Sequence, residues 1–453
     1  MKGKEKYLIK NFGIFSLSNF ATKILSFIIL PFYTFYLSEI EYAVIDLINL
    51  MVTLAMPILT LSINDALLKF ALDRIDRSEE IAKTSLVVVA ASGGLIFILM
   101  PVIGVIVENE EYKIYFLMIY FFSVLNQFYS CYMRSKNLIN EVAIAAALIS
   151  ASTIISNFIL IALLKKGIKG YFFSTILGMI VGNIYSAYHC KICTVIQKYK
   201  FNYGLLREML RYSIPLIPNS LFWWINSSLD KFMLTKYAGL NAVGLYSVAG
   251  KIPAVISVVT SVFQQAWTIS AIKEKGNKAF FNKVYFVYDK VMLITSCILL
   301  ISCKLVAKIL FQKTFFNAWT IVPLLVVTVY FSSLNAFIGS IYISLNKTKN
   351  IFFTTVLGAI LNIFFNVCLI PSWGVYGAAT ATMISTFVIW IVRYKAMYEY
   401  ICSGSEILNI IEKIIILFIA INVILIQNII LMFILCFMFL VVLIKHVKKT
   451  NYT

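Results

Sequence analysis

The sequence predicts an all-α integral membrane protein of about fourteen transmembrane helices, and three observations carry that prediction. The 453 residues are 61% hydrophobic and only 13% charged, with a mean hydropathy of +0.90, far from the balance of a soluble domain. Apolar runs recur along nearly the whole chain, each about long enough to cross a hydrocarbon core of roughly 30 Å. The remaining charges gather in the breaks between runs, and the basic ones gather in every second break. No stretch is left for a soluble domain. The formal charge of +19 is therefore sorted by loop instead of being read as a nucleic-acid surface.

The opening MKGKEKYLIKN is basic, like a signal-peptide leader. The apolar run behind it is too long for a signal peptide and lacks a small-residue cleavage site, so residues 11–36 form a first transmembrane helix. Spans follow at 43–68, 83–107, 112–133, 141–164 and 171–194, each closed by a charged or Pro/Gly break. A second group occupies 210–236, 244–271, 284–311, 318–345, 351–370 and 375–397, and a last pair 407–426 and 428–445. With a cytoplasmic N-terminus, alternate loops collect most of the cations, among them Lys69, Arg74, Arg77, Lys273, Lys275 and Arg393, while the opposite loops carry SEIEY and ENEE. The positive-inside rule places both termini in the cytoplasm, and only LLKKGIK at 163–169 argues against that orientation.

Laid on itself with a shift of about 200 residues, the chain shows a faint internal repeat of the kind transporters carry. NFGIFSLSN, ending at Asn19, lies over RYSIPLIPN, ending at Asn219, and EYAVIDL lies over AVGLYSV. Further on, KKGIKGYFFSTILG lies over SWGVYGAATATMIS, each with a Gly-x-x-Gly opening a helix. Six helices per half is an even number, so the halves are parallel copies around an axis along the membrane normal. The expected organisation is an N-lobe at 1–208, a C-lobe at 209–400 and a final helix pair with a cytoplasmic tail at 401–453.

Polar residues inside the predicted spans mark candidate sites. In the first span Asn19, Thr22, Lys23 and Ser26 share one face, and Lys23 lies about 18 Å from the helix start, near the bilayer midplane. A lysine there costs about 2.5–3.5 kcal/mol on insertion scales. The second span carries Asn49, Thr53, Thr60 and Asn64, interrupted by Pro57. The seventh aligns Asn219, Trp223, Asn226 and Asp230 behind Pro215 and Pro218, and the eighth places Lys251 one turn beyond Ser247. Intramembrane ionisable groups face a bundle interior or a watery cavity. The expectation is a central cavity lined by spans one, two, seven and eight, with Lys23, Asn19, Asn219, Asn226, Asp230 and Lys251 as substrate-binding candidates. An ion pair between Asp230 and Lys251 or Lys23 is the structural alternative. Trp223, Trp224 and Trp267 suit sugar stacking or interfacial anchoring.

Other motifs fail. HCKIC at 189–193 has no second Cys/His pair to complete a zinc site, and the cysteines are scattered through apolar runs as small hydrophobes. No Gly-rich phosphate loop and no Ser/His/Asp arrangement is present. Neither a metal nor an organic cofactor is expected, nor an enzymatic activity.

Residues 205–255, LLREMLRYSIPLIPNSLFWWINSSLDKFMLTKYAGLNAVGLYSVAGKIPAV, resemble the start of the second half in polysaccharide flippases of the multidrug/oligosaccharidyl-lipid/polysaccharide exporter superfamily. The matching positions are Pro215, Pro218, Asp230, Lys231, Gly244, Tyr246, Ala249 and Lys251. IPSWGVYGAATAT at 370–382 and LSEIEYAVIDL resemble two further family hallmarks, although Ala43 and SIND stand where glycines are usual. The resemblance implies a flippase that moves an undecaprenyl-pyrophosphate-linked oligosaccharide repeat unit to the outer leaflet of a bacterial cytoplasmic membrane, for O-antigen, capsule or exopolysaccharide assembly. It implies lipid-linked oligosaccharide and membrane lipids as partners, with a polymerase and chain-length regulator of the same pathway. It leaves coupling to H+ or Na+ open, with Asp230 as the candidate carboxylate. The rival readings are a lipid II flippase, a cation-coupled multidrug exporter and, from another class, a membrane glycosyltransferase or O-antigen polymerase.

Overall fold

The computed structural model describes residues 27–98 and 109–401, together with residues 413, 416, 419 and 420. Every regular element among the described residues is helical. Nine described segments are long and apolar enough to cross a membrane, and the chain is an all-α, multi-pass membrane protein. Two compact units divide it, one built on Tyr36–Trp224 and one on Leu30–Phe35 with the chain from Ile225 onward.

The N-terminal unit starts at a helix cap. Ser38 is the N-cap of α2 (Glu39–Leu59): its Oγ accepts from Glu41 N at 3.2 Å, and Glu41 Oε2 accepts from Ser38 N at 2.8 Å. This capping box is what the acidic SEIEY stretch builds. The other Glu41 oxygen accepts from Ile168 N at 3.1 Å, tying the start of α2 to the start of a later helix.

The predicted continuous span 43–68 is broken. Pro57 lacks the amide that would continue the ladder, the chain turns through Thr60, and Leu61 and Ser62 take left-handed φ values of 53° and 51° before α3 (Ile63–Asp73) resumes. α4 (Ser78–Ile98), α5 (Glu110–Ser135) and α6 (Ile139–Asn157) follow, α6 ending in a π-helical stretch at Phe158–Leu163. Next come α7 (Gly167–His189), α8 (Ile192–Lys198) and α9 (Tyr203–Ser213). The discordant LLKKGIK loop is offset locally, because Lys169 Nζ pairs with Glu111 Oε1 of the acidic ENEE stretch at 2.8 Å.

α9 is an extra amphipathic helix where the sequence suggested the beginning of the seventh span. It is held by an Arg74–Glu208 ion pair and by Lys69, whose ammonium lies 4.0 Å from the Tyr212 ring centroid. A 3-10 turn at Ile214–Leu216 containing Pro215 then leads into α10 (Ile217–Ala249). Its first turns pack with the N-terminal unit, where Trp224 Nε1 donates to Leu50 O at 2.9 Å.

In the C-terminal unit α10 bends at Gly239 and is followed by α11 (Lys251–Lys273), α12 (Lys278–Leu310), α13 (Val322–Ser344), α14 (Thr348–Ala396) and α15 (Tyr398–Ile401). α13 is the core helix, with most of its residues buried. Trp267 stacks on Phe337 of α13 at 4.2 Å and donates Nε1–H to the Phe337 carbonyl at 3.1 Å, so it is a packing residue and not a sugar platform. The short helix α1 (Leu30–Tyr36) joins this unit through buried Thr34, whose Oγ1 donates to Leu310 O at 3.0 Å and accepts from Gln312 N at 3.2 Å.

The two Gly-x-x-Gly motifs adopt one solution twice. Gly167 at φ +50° opens α7 and Gly374 at φ +52° divides α14, both in the left-handed region where glycine carries no Cβ penalty. Three residues on, Gly170 and Gly377 press against the preceding helix: a Cβ on Gly170 would stand 3.2 Å from the Leu160 backbone, and one on Gly377 only 2.5 Å from Leu369 C.

Candidate functional site

The seventh predicted span supplies the polar centre of the C-terminal unit. Asn226 and Asp230 are one helical turn apart on α10, and both sit against or near α14: Asn226 Nδ2 donates to Thr355 O at 3.5 Å. Asp230 is only 6% exposed. Its Oδ2 accepts from Tyr246 Oη at 2.5 Å and its Oδ1 accepts from Lys231 N at 2.9 Å. Because Asp230 precedes the Gly239 bend and Tyr246 follows it, this one hydrogen bond spans the bend.

The Tyr246 hydroxyl also contacts Thr382 on the second part of α14. Thr382 Oγ1 accepts from Asn362 Nδ2 at 3.2 Å, and Asn362 Oδ1 accepts from Asn366 Nδ2 at 3.0 Å. Asn366 is fully buried, and its own Oδ1 has no hydrogen-bond partner. The result is a continuous chain, buried at both ends and part-buried at Thr382, from a carboxylate to an unsatisfied amide oxygen, in a region where unpaired acceptors are expensive. A proton on Asp230, or a hard cation shared among carboxylate, hydroxyl and amide oxygens, is the chemistry these groups can support. No cluster of three His, Cys, Asp or Glu occurs among the described residues.

The other sequence candidates fall as follows. Lys251 opens α11 and is half-buried, with no carboxylate paired to it among the described residues. Asn219 is exposed at the start of α10. Asn19 and Lys23 lie outside the described residues.

Four buried charged residues, Asp289, Lys290, Lys413 and Arg393, were not singled out from sequence. Asp289 on α12 is 2% exposed in its side chain and accepts from Tyr330 Oη and from Lys413 Nζ, each at 2.5 Å, with Lys290 Nζ at 3.9 Å. Arg393, read as a loop cation, is 7% exposed inside α14. Its guanidinium donates to Thr354 Oγ1 at 2.9 Å, Asn335 O at 2.9 Å and Thr355 Oγ1 at 3.3 Å, all neutral acceptors. A carboxylate within an apolar run was the available signal for Asp289; Arg393 was masked by its closeness to Lys395 at the run's end.

In the N-terminal unit, the interruption between α2 and α3 opens a cavity of about 290 Å3. Its polar wall includes Thr60, Ser62, Asn64, Asp65, Gln127 and Ser220, and its apolar wall Met56 and Pro57. Asn64 Nδ2 donates to Gln127 Oε1 at 3.2 Å. Ser62 Oγ and Asn64 Oδ1, on residues 4% and 1% exposed, have no hydrogen-bond partner.

The sequence profile described as polysaccharide biosynthesis protein matches residues 8–272, more than half of the chain. An uncharacterized membrane protein of Methanocaldococcus jannaschii is 26% identical over 204 residues, a match that spans 44% of this chain and 40% of that protein. Among solved structures, the lipid II flippase MurJ in an inward closed conformation superposes with a TM-score of 0.69 at 14% identity, covering 95% of this chain and 97% of its own. A multidrug resistance MATE family transporter of the MOP superfamily, inward-facing, also gives 0.69 at 15% identity, covering 83% of this chain and 94% of its own. At these identities the two likenesses are of fold.

Proposed function

Because the chain belongs to the polysaccharide biosynthesis protein family, we propose that it is a flippase carrying an undecaprenyl-pyrophosphate-linked oligosaccharide repeat unit from the cytoplasmic to the outer leaflet by alternating access. The membrane is the bacterial cytoplasmic membrane, with both termini inside. The observation that carries this reading is the joining of that family match to a two-unit, all-helical transporter fold. A pyrophosphate crossing hydrocarbon needs cationic contacts, and Lys23 and Lys251 fill that role while Asn19, Asn219 and Asn226 meet sugar hydroxyls. An inside-negative potential favours outward movement of the anion by about 2.3 kcal/mol per charge per 100 mV.

Asp230 is the coupling group in this proposal. Protonation, or capture of Na+, removes the charge that Tyr246 Oη is donating to, and so loosens the bond that spans the α10 bend. Lipid II is the second reading for the cargo. It is supported by the breadth of the likeness to the lipid II flippase MurJ, which covers 95% of this chain against 83% for the MATE transporter.

The test is deletion of the gene in its host, followed by mass spectrometry of lipid-linked glycans and measurement of surface polysaccharide. Accumulation of one pyrophosphoryl-lipid oligosaccharide with loss of the polymer supports the repeat-unit reading, and accumulation of lipid II supports the second. Unchanged lipid pools with new drug sensitivity overturn both. In the complemented strain Lys23→Gln is expected to lose export while still inserting.

A further inference from the structure

The sequence drew attention to Thr60 and Asn64 as a polar face and to SIND as a departure from a glycine-rich turn, and neither observation is used by the transport scheme above. In the structure they meet at the α2–α3 interruption. Leu61 and Ser62 both hold left-handed φ although neither is glycine, a conformation that persists only where the surroundings enforce it and that concentrates at ligand sites. The backbone here makes compact turns of its own, with Ser62 N donating to Pro57 O at 3.0 Å and Ile63 N to Thr60 O at 3.1 Å. What the turn leaves unsatisfied are the Ser62 hydroxyl and the Asn64 carbonyl oxygen, both shielded from water and both on residues that wall the cavity.

The size and chemistry of the cavity select the occupant. About 290 Å3 is far larger than the tight oxygen cage a sodium ion requires, and is of the size of one pyranose ring with its substituents. The wall alternates donors and acceptors: the amides of Asn64 and Gln127, the hydroxyls of Ser62 and Ser220, and a single exposed carboxylate, Asp65. Met56 and Pro57 offer an apolar patch for the C–H face of a ring. A neutral polyol matches this mixture; an anion would face Asp65 without any lysine or arginine in the wall.

Depth supports the same occupant. The 21 residues of α2 rise about 31 Å, one hydrocarbon thickness, from the Ser38 cap to the interruption. With the orientation proposed above, the cavity lies at the cytoplasmic boundary, where a lipid-linked glycan is presented. We propose that the α2–α3 interruption is a glycosyl subsite in which Ser62, Asn64, Asp65 and Gln127 bind sugar hydroxyls. This rests on the flippase reading for its cargo, but it makes a binding claim of its own.

The experiment is saturation-transfer difference NMR on the full chain in a sugar-free detergent, with methyl hexopyranosides and methyl N-acetylhexosaminides as probes. Asn64→Leu and Asp65→Asn are compared with wild type and with Ser302→Ala, a half-buried position on α12 in the other compact unit. Thermal unfolding of each variant establishes that it is folded, and Ser62→Gly, which relieves the left-handed strain while deleting the hydroxyl, serves if Asn64→Leu does not fold. The expected result is saturation transfer to at least one glycoside in wild type and Ser302→Ala, with at least a tenfold weaker affinity in the cavity variants. No transfer to any glycoside, equal transfer in all variants, or a response to sodium ions alone would overturn the subsite. A protein whose deletion accumulates a lipid-linked glycan but which shows no glycoside binding here keeps its flippase function and loses only this inference.

Discussion

Adding a methyl group at Gly377 is the sharpest test of how the helices close around the Gly-x-x-Gly turn of α14. The new Cβ would stand 2.5 Å from Leu369 C and 2.8 Å from Ile370 N, and closer still to the Leu369 carbonyl oxygen. These are backbone atoms, so no side chain can swing away, and the two halves of α14 must separate by roughly 1 Å to restore ordinary contact. Overpacking of this kind costs about 1–3 kcal/mol, and the rigid neighbours put Gly377→Ala at the upper end. Gly170 provides the graded comparison: its nearest backbone atom would be 3.2 Å away, a displacement of a few tenths of an ångström, and the expected loss is about 1 kcal/mol or less. Gly94 in α4 would meet nothing within 4 Å, so Gly94→Ala should match or slightly exceed wild-type stability, alanine being the better helix former. Thermal unfolding of the three purified variants in one detergent, followed by far-UV circular dichroism, reads the order directly. Equal losses at all three positions, or a Gly377→Ala protein as stable as wild type, would refute the close-approach argument.

Three further outcomes are expected. Asp289→Asn should destabilise by about 3–5 kcal/mol, because Lys413 and Lys290 lose the carboxylate between them, and Asp289→Asn with Lys413→Met should recover part of that loss in a double-mutant cycle. Arg393→Met should stay within about 2 kcal/mol of wild type in thermal unfolding, since the charge it removes has no ionic partner among the described residues and Thr354 and Thr355 keep bonds to Asn350 O and Ile351 O. The hydrogen bond from Arg74 holds the Glu208 carboxyl below its ordinary value. Its stabilising effect is therefore present above the unfolded carboxyl range and lost as the pH falls through the depressed value. The gap in unfolding temperature between wild type and Glu208→Gln should be small at neutral pH, the pair being exposed, and should close in acid.

Sequence and structure agree where the signal is local. Apolar runs gave the helices, and an acidic residue one turn from Asn226 inside such a run marked Asp230, which is buried and hydrogen-bonded. Its partner Tyr246 lies 16 positions on, across a bend at Gly239 whose geometry no periodicity encodes. Asn362 and Asn366 repeat the one-turn polar spacing within an apolar run, a signal that could have been read; their union with Thr382 depends on α14 folding back at Gly374. Asp289 and Lys413 are 124 positions apart, and nothing local joins them. Pro57 announced trouble in the second span, but Leu61 and Ser62 lack the glycine that usually signals a left-handed turn, so the interruption and its cavity were hidden.

The placement of α1 bears on ancestry. A chain made by tandem duplication should at first consist of two self-contained copies, each of which could drift off as an independent gene. Here Leu30–Phe35 belongs to the C-terminal compact unit, fixed by Thr34 at Leu310 and Gln312 and by Lys313 Nζ donating to Phe35 O at 2.6 Å. A C-terminal unit expressed alone from Ile225 onward would lack this segment, which its fold uses. Folding itself thus ties the C-terminal unit to a segment encoded at the other end of the reading frame.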